Sequence, residues 1–118
     1  MWTDLTVQDA AALTGFYENV VGWKAAEHPV GDYSDYDMKD AKGEVVAGIC
    51  YARGTNANVP NVWLIYIPVD DVDAAANAAL AAGGKVIDGP RRMGSGQFAV
   101  IEDPQGAKFA VFASLKKD

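Results

Sequence analysis

One cysteine, Cys50, and one histidine, His28, are all that a chain of 118 residues holds of these two metal-binding side chains. A lone cysteine excludes an intramolecular disulfide and a cysteine-rich zinc site, and it fits a reducing compartment. A divalent catalytic centre needs about three ligands from His, Asp, Glu or Cys, so one would have to rest largely on carboxylates. Basic residues are also few. Ten Lys and Arg stand against sixteen Asp and Glu, a net charge of −6 that repels phosphate backbones and anionic headgroups. Neither nucleic acid nor a membrane is an expected partner. No apolar run approaches the length that spans a bilayer, and Met1-Trp2-Thr3-Asp4 lacks the basic start and apolar centre of a signal peptide. A soluble, cytoplasmic protein is expected.

What is present is a hydrophobic half, 50% of the residues, enough for one domain to bury a core without staples. The clearest local signal is Ile101-Glu102-Asp103-Pro104-Gln105-Gly106-Ala107-Lys108-Phe109. Pro104 fixes φ inside a turn and Gly106 supplies positive φ, so the apolar runs on either side are hairpin partners. Asp40-Ala41-Lys42-Gly43 has the same Asp-to-Gly spacing and is followed by Val45-Val46-Ala47-Gly48-Ile49. Asp9 and Gly22 recur 62 positions on as Asp71 and Gly84, and Asp40 and Gly43 recur 63 positions on as Asp103 and Gly106. Four punctuation residues in register point to a duplicated module.

Each copy reads as βαβββ. In the first, Met1 to Val7 alternates as a strand. Asp9 caps a helix with an apolar stripe of Leu13, Phe16, Tyr17 and Val20, ended by Gly22. Trp23 to His28 and Tyr33 to Lys39 form a hairpin, and Glu44 to Tyr51 a further strand. A turn-rich connector, residues 53–61, separates module one (1–52) from module two (62–118) within a single domain. There, Val62 to Val69 is a strand. Asp71 caps a helix with Val72, Ala75, Ala76, Ala79 and Leu80 on its apolar side, ended by Gly83-Gly84. Lys85 to Asp88 and Gly96 to Glu102 pair across the loop Gly89-Pro90-Arg91-Arg92-Met93-Gly94-Ser95, and Ala107 to Ala113 is the last strand. This is α+β architecture, in which two tandem βαβββ modules would form a U-shaped, half-open barrel-like sheet with the helices outside.

Val7-Gln8-Asp9 leading to Phe16-Tyr17-Glu18 and Val21-Gly22-Trp23, with Asp103-Pro104-Gln105-Gly106 before Phe109-Ala110-Val111, resembles the vicinal oxygen chelate superfamily. That is the glyoxalase, bleomycin-resistance and extradiol dioxygenase group. Trp2-Thr3-Asp4-Leu5, Val45-Val46-Ala47-Gly48-Ile49 and Trp63-Leu64-Ile65-Tyr66 look like its metal-poor, hydroxylase-like or antigen-like branch. The resemblance implies a small-molecule site in the cup of the sheet, often completed by a second chain. It also implies that metal ligands, where members have them, stand about seven residues before each capping Asp and seven after each turn Asp. Those positions hold Trp2, Leu64, Ala47 and Ala110, and none can bind a metal. No metal and no cofactor is expected.

Strand parity places Leu5, Val7, Ile65, Ile67, Phe109 and Val111 toward the helices. It leaves Trp2, Asp4, Leu64, Tyr66, Lys108, Ala110 and Phe112 on the cup side. Tyr36 and Met38 read as helix-facing, which turns Asp35 and Asp37 to the cup. Phe98 and Val100 take the corresponding places in module two, although both faces of that strand are apolar. The candidate ligand-binding residues are therefore Trp2, Asp4, Asp35, Asp37, Leu64, Tyr66, Phe98, Lys108, Ala110 and Phe112. Cys50 reads as a core residue rather than a nucleophile served by His28. Gly94-Ser95-Gly96 is hairpin punctuation, and Arg91-Arg92 is a loop pair that could clamp an anion at the rim.

The leading expectation is a metal-independent protein that binds a small organic molecule, aromatic or cationic in character, as a homodimer. The alternatives are a lyase, isomerase, hydrolase or dioxygenase using an aspartate base or an unrecognised metal site, and an interaction module whose cup is filled by side chains. The catalytic residues of such an enzyme are not identified by the sequence.

Overall fold

The computed structural model describes residues 1–114, and for Thr55 the backbone alone. The chain divides into two compact units, Trp2–Trp63 and Leu64 onward, with Met1 grouped with the latter. The first module contains β1 (Trp2–Val7), α1 (Ala10–Val21), β2 (Lys24–Pro29), β3 (Ser34–Lys39) and β4 (Val45–Tyr51). A short 3-10 turn, Gly54–Asn56, follows. The second contains β5 (Leu64–Pro68), α2 (Val72–Ala81), β6 (Lys85–Met93), β7 (Gly96–Glu102) and β8 (Lys108–Ser114). Within the first module the strands lie in the order β2-β3-β4-β1, and within the second β6-β7-β8-β5. β1 pairs with β4 in parallel, as does β5 with β8, and the other neighbours are antiparallel. The fold is α+β. Among the described residues no helix is long and apolar enough to cross a membrane.

The duplication holds down to single hydrogen bonds. The Asp40 carboxylate accepts from the N–H of Lys42 and Glu44, and that of Asp103 from Gln105 and Ala107. Gly43 and Gly106 take positive φ, 82° and 89°. Asp9 caps α1 by accepting from the Ala12 N–H, and Asp71 caps α2 from Ala74. α1 ends in left-handed Gly22, whereas in α2 Gly83 takes that place and Gly84 N–H donates to the Ala79 carbonyl. Gly84 also lies close to strand β7: a Cβ there would stand 2.7 Å from the Glu102 carbonyl oxygen.

Each helix covers one face of its own sheet. In the second module Val72 packs with Ala99, Ile101, Val111 and Ala113, with Ala75, Ala79 and Phe109 against them. In the first, Ala10 packs with Met38, Ala47 and Ile49, joined by Val7, Tyr17, Tyr36 and Trp63. The helix stripes are narrower than their spacing predicts. Phe16 and Val20 of α1 are 55% and 62% exposed, and Leu80 of α2 is 56% exposed. In α1 only Ala10 is fully buried. Tyr17, Trp23 and Trp63 fill the space at its C-terminal end. Ile65 and Ile67 also stay exposed. Ile67 shares the face of Val111, its partner in register, but α2 packs on β6, β7 and β8.

The segment Gly89-Pro90-Arg91-Arg92 is strand, not loop. β6 continues to Met93, with register shifts around Asp88 and a cis Gly89–Pro90 bond. It is an outer strand of its module, where a residue without an N–H is tolerated.

Candidate functional site

The faces opposite the helices hold the candidate residues. In the first module, Tyr36 and Met38 turn toward α1, so Asp35 and Asp37 project from the other side of β3 by alternation. Register sets Asp37 opposite Gly48, Gly48 opposite Asp4, and Thr6 opposite Cys50. Trp2, Asp4, Asp35, Asp37, Gly48 and Cys50 therefore share one inner face.

Gly48 is the position that counting missed. Seven residues after the turn Asp40 stands Ala47, but a bulge between Met38 and Lys39 inserts one residue into β4, so Lys39 pairs with Val45 and Met38 with Ala47. Ala47 consequently enters the buried cluster beside α1. In the second module the ladder runs without a slip, and Ala110 faces Val100. The counterpart of Ala110 in register is Gly48, not the Ala47 that counting seven residues from the turn Asp gives. A bulge of this kind leaves no residue signature.

The space above Gly48 is taken by Trp2. A Cβ at Gly48 would lie 3.3 Å from Trp2 Cζ2 and 3.3 Å from Asp4 Cβ, so the absent side chain lets the indole settle across β4. Its Nε1–H donates to Asp4 Oδ2 at 3.1 Å. Asp35 Oδ1 accepts from the Tyr51 N–H at 2.9 Å, and Asp37 Oδ2 lies 3.3 Å from His28 Nδ1. Burial, followed by the carboxylates of Asp4 and Asp35, a hydrogen bond to Asp35 and the charge of Asp37, pushes the Cys50 thiol well above its ordinary range. A thiol so held stays protonated and is a poor nucleophile. His28 is 59% exposed at the side chain and is set against Asp37.

The inner face of the second module is different in kind. Leu64, Tyr66, Phe98 and Ala110 are 1%, 6%, 2% and 0% exposed. Phe98 and Val100 lie on the side away from Val72, since Ala99 and Ile101 take the helix side; this settles the strand whose two faces were both apolar. Phe112 is half-buried, with its ring over Gly96. Arg91 stands opposite Phe98 with its guanidinium 4.5 Å from the ring centre, and Asp88 accepts from its Nε at 3.1 Å and Nη2 at 2.9 Å. Sequence reasoning missed this pairing because it put Arg91 in a loop. Lys108, expected on the cup side, lies 3.4 Å from Glu102, its partner in register.

A cavity of about 600 Å³ opens elsewhere, at the N-terminal end of α2, between Val69, Asp70, Val72, Gln97 and Ser114. It contains none of the predicted site residues, and Ser114 in its wall is the last described residue.

The donor set among the described residues does not fit a metal. The inner-face positions at which the resembled superfamily carries ligands hold Trp2, Leu64, Gly48 and Ala110, and among the described residues no three His, Cys, Asp or Glu are grouped to hold an ion. The two inner faces thus differ: one joins an indole to carboxylates, and the other is apolar and buried.

The family model described as the glyoxalase/bleomycin resistance protein/dioxygenase superfamily matches residues 1–111. The glyoxylase-named protein CFP32 of Mycobacterium tuberculosis is 39% identical over 112 residues, 94% of this chain and 42% of that protein. The anthracycline biosynthesis protein DnrV of Streptomyces peucetius is 33% identical over 124 residues, 94% of this chain and 45% of that protein. The chain thus spans less than half the length of the curated relatives it matches. Among solved structures, a methylmalonyl-CoA epimerase variant of Streptomyces coelicolor, in complex with 2-nitronate-propionyl-CoA, superposes with a TM-score of 0.56 at 16% identity, over 98% of this chain and 94% of that one. This last likeness concerns the fold.

Proposed function

Because the chain belongs to the glyoxalase/bleomycin resistance protein/dioxygenase superfamily, we propose that it is a metal-independent member that binds a small organic ligand on the inner face of its first module. The observation that carries this reading is the arrangement of Trp2, Gly48 and Asp4. Where the superfamily places metal ligands, this chain has an indole and a glycine that accommodates it, beside a carboxylate. An aromatic surface next to negative charge favours a flat, cationic compound, through stacking and cation–π attraction. Asp35 and Asp37 add to the field, and both act on Cys50 from the same face. The inner face of the second module is buried and offers little free surface.

Two relatives, DnrV and DauV, are named for anthracycline biosynthesis, and an anthracycline is a fused aromatic ring system. An anthracycline carrying a protonated amino sugar and its neutral aglycone are therefore suitable probes. Calorimetric titration should give tighter binding of the cationic compound, with the preference reduced in Asp35→Asn and Asp37→Asn and overall affinity reduced in Trp2→Ala. Absence of binding to either probe, or to matched cationic and anionic aromatics, would remove the ligand reading.

The name of CFP32 supports a second reading, an enzyme in which one of these aspartates accepts a proton from the ligand. Incorporation of solvent deuterium into a bound carbon acid would favour it.

A further inference from the structure

Resting on the ligand reading of the first module, we infer that His28 selects among aromatic cations, as the acceptor of a hydrogen bond from a protonated primary or secondary amine. The imidazole belongs to the inner face. β2 pairs antiparallel with β3, setting Ala25 opposite Met38, Ala26 opposite Asp37, Glu27 opposite Tyr36 and His28 opposite Asp35. Ala25, Tyr36 and Met38 pack toward α1, so alternation turns His28 to the same side as Asp35 and Asp37.

Asp37 fixes how the ring is presented. Its Oδ2 lies 3.3 Å from His28 Nδ1, across a diagonal of the ladder. A carboxylate only accepts hydrogen bonds, so in the neutral ring the proton stands on Nδ1 and Nε2 carries the lone pair. Among the described residues, Nδ1 is the one ring atom of His28 with a hydrogen-bond partner. With the side chain 59% exposed, Nε2 is open to a ligand.

The sheet sets the reach of that ligand. Asp37 stands opposite Gly48, and the Trp2 indole lies over Gly48. β3 is the single strand between β4 and β2, and at about 4.8 Å per strand the two lie about 10 Å apart. A fused aromatic system stacked on the indole therefore crosses the carboxylates of β3 before its far end meets Nε2. A donor arriving there is a neighbour of Asp35 and Asp37, so a charged N–H fits better than a neutral hydroxyl. A quaternary ammonium carries the same charge but has no N–H to give. It satisfies the cation–π part of the site without the bond to Nε2.

Two probes of equal charge test this arrangement: an anthracene bearing an aminoethyl arm, and the same compound trimethylated at nitrogen. Titration calorimetry on the full chain, on the alkaline side of imidazole's ordinary range, should show the primary amine bound roughly tenfold more tightly, the scale of one charge-assisted hydrogen bond. His28→Ala should bring the two affinities together at the level of the trimethylated probe. Asp37→Asn should weaken both probes through lost charge and also shrink the preference, because an amide N–H can donate to Nδ1 and move the ring proton to Nε2. Since His28 is the sole histidine, the NMR shifts of its ring nitrogens report the tautomer without any variant: protonated at Nδ1 in the wild type, and less so in Asp37→Asn. Equal affinity for both probes, a preference that survives His28→Ala, or a wild-type ring protonated at Nε2 overturns the inference while the ligand reading stands. Failure of both probes to bind removes the ligand reading, and the role of His28 with it.

Discussion

Trp2 and Gly48 are complementary in shape: the indole edge lies 3.3 Å from where a Cβ on residue 48 would be. With Asp4 Cβ equally close, a larger side chain at this position must displace the indole or strain β1 against β4. Gly48→Val is therefore expected to destabilise the protein by about 1–3 kcal/mol, the usual range for overpacking. It should also change Trp2 fluorescence, which depends on the environment of the ring. Urea unfolding of the wild type and variant measures the first effect, and emission spectra of proteins in which Trp23 and Trp63 are replaced by Phe isolate the second. An unchanged midpoint and spectrum would show that the contact is not constraining.

Gly84 gives a harder steric test, because its close neighbours are backbone. An added Cβ would stand 2.7 Å from the Glu102 carbonyl oxygen and 3.2 Å from that of Ala79. Neither can rotate away as a side chain can. Gly84→Ala should lower stability by about 1–3 kcal/mol, despite the smaller conformational entropy of its unfolded chain. Chemical denaturation checks this, and a neutral or stabilising result would contradict the close approach of α2's end to β7.

These two glycines also mark what was legible in the sequence. The caps at Asp9 and Asp71 and the turns at Asp40 and Asp103 were readable because their chemistry is local: a carboxylate and the next few N–H groups decide the geometry. That made the duplicated α+β pattern readable. The inward position of Gly48 was hidden, since the bulge beside Met38 shifts register without requiring a particular residue. The course of β6 was hidden for the opposite reason, as Gly89 and Pro90 carry strong turn signals yet lie in an outer strand. Exposure of Phe16 depends on what packs beneath α1, which helical spacing cannot express.

The Arg91–Asp88 pair should be strongly coupled. The side chains are only 23% and 15% exposed, and the paired atoms come within 2.9 Å. Removing one partner leaves the other partly desolvated, while removing both relieves that cost. A double-mutant cycle with Arg91→Ala and Asp88→Ala should therefore give a coupling energy of about 1–3 kcal/mol, in the range for interacting neighbours. Arg91→Lys should recover only part, because an ammonium cannot form the same two-point contact or cover the Phe98 ring equally well. Additive single losses would reduce the pair to a surface contact.

Cys50 connects the electrostatics of the inner face to the pH dependence of folding. Burial and the charges of Asp4, Asp35 and Asp37, with the hydrogen bond to Asp35, raise its pKa in the folded protein, whereas in the unfolded chain a thiol ionises near pH ~8.5. Below that pH both states hold the proton and its stabilising contribution is fully present. As pH rises above it, the unfolded chain releases the proton first, so the folded state binds more protons and stability falls until the folded pKa is reached. The slope from one such group approaches about 1.4 kcal/mol per pH unit. Tyr36, raised by burial and then by its hydrogen bond to Tyr51, acts in the same direction at higher pH. Cys50→Ala should therefore flatten the decline in urea-unfolding stability on the alkaline side of neutrality, and Tyr36→Phe should flatten it further. In the wild type, the thiol should react slowly with a disulfide reagent at pH ~8.5 until denaturant is added. Rapid native labelling, or the same alkaline slope with and without Cys50, would show that the carboxylates do not hold the thiol protonated.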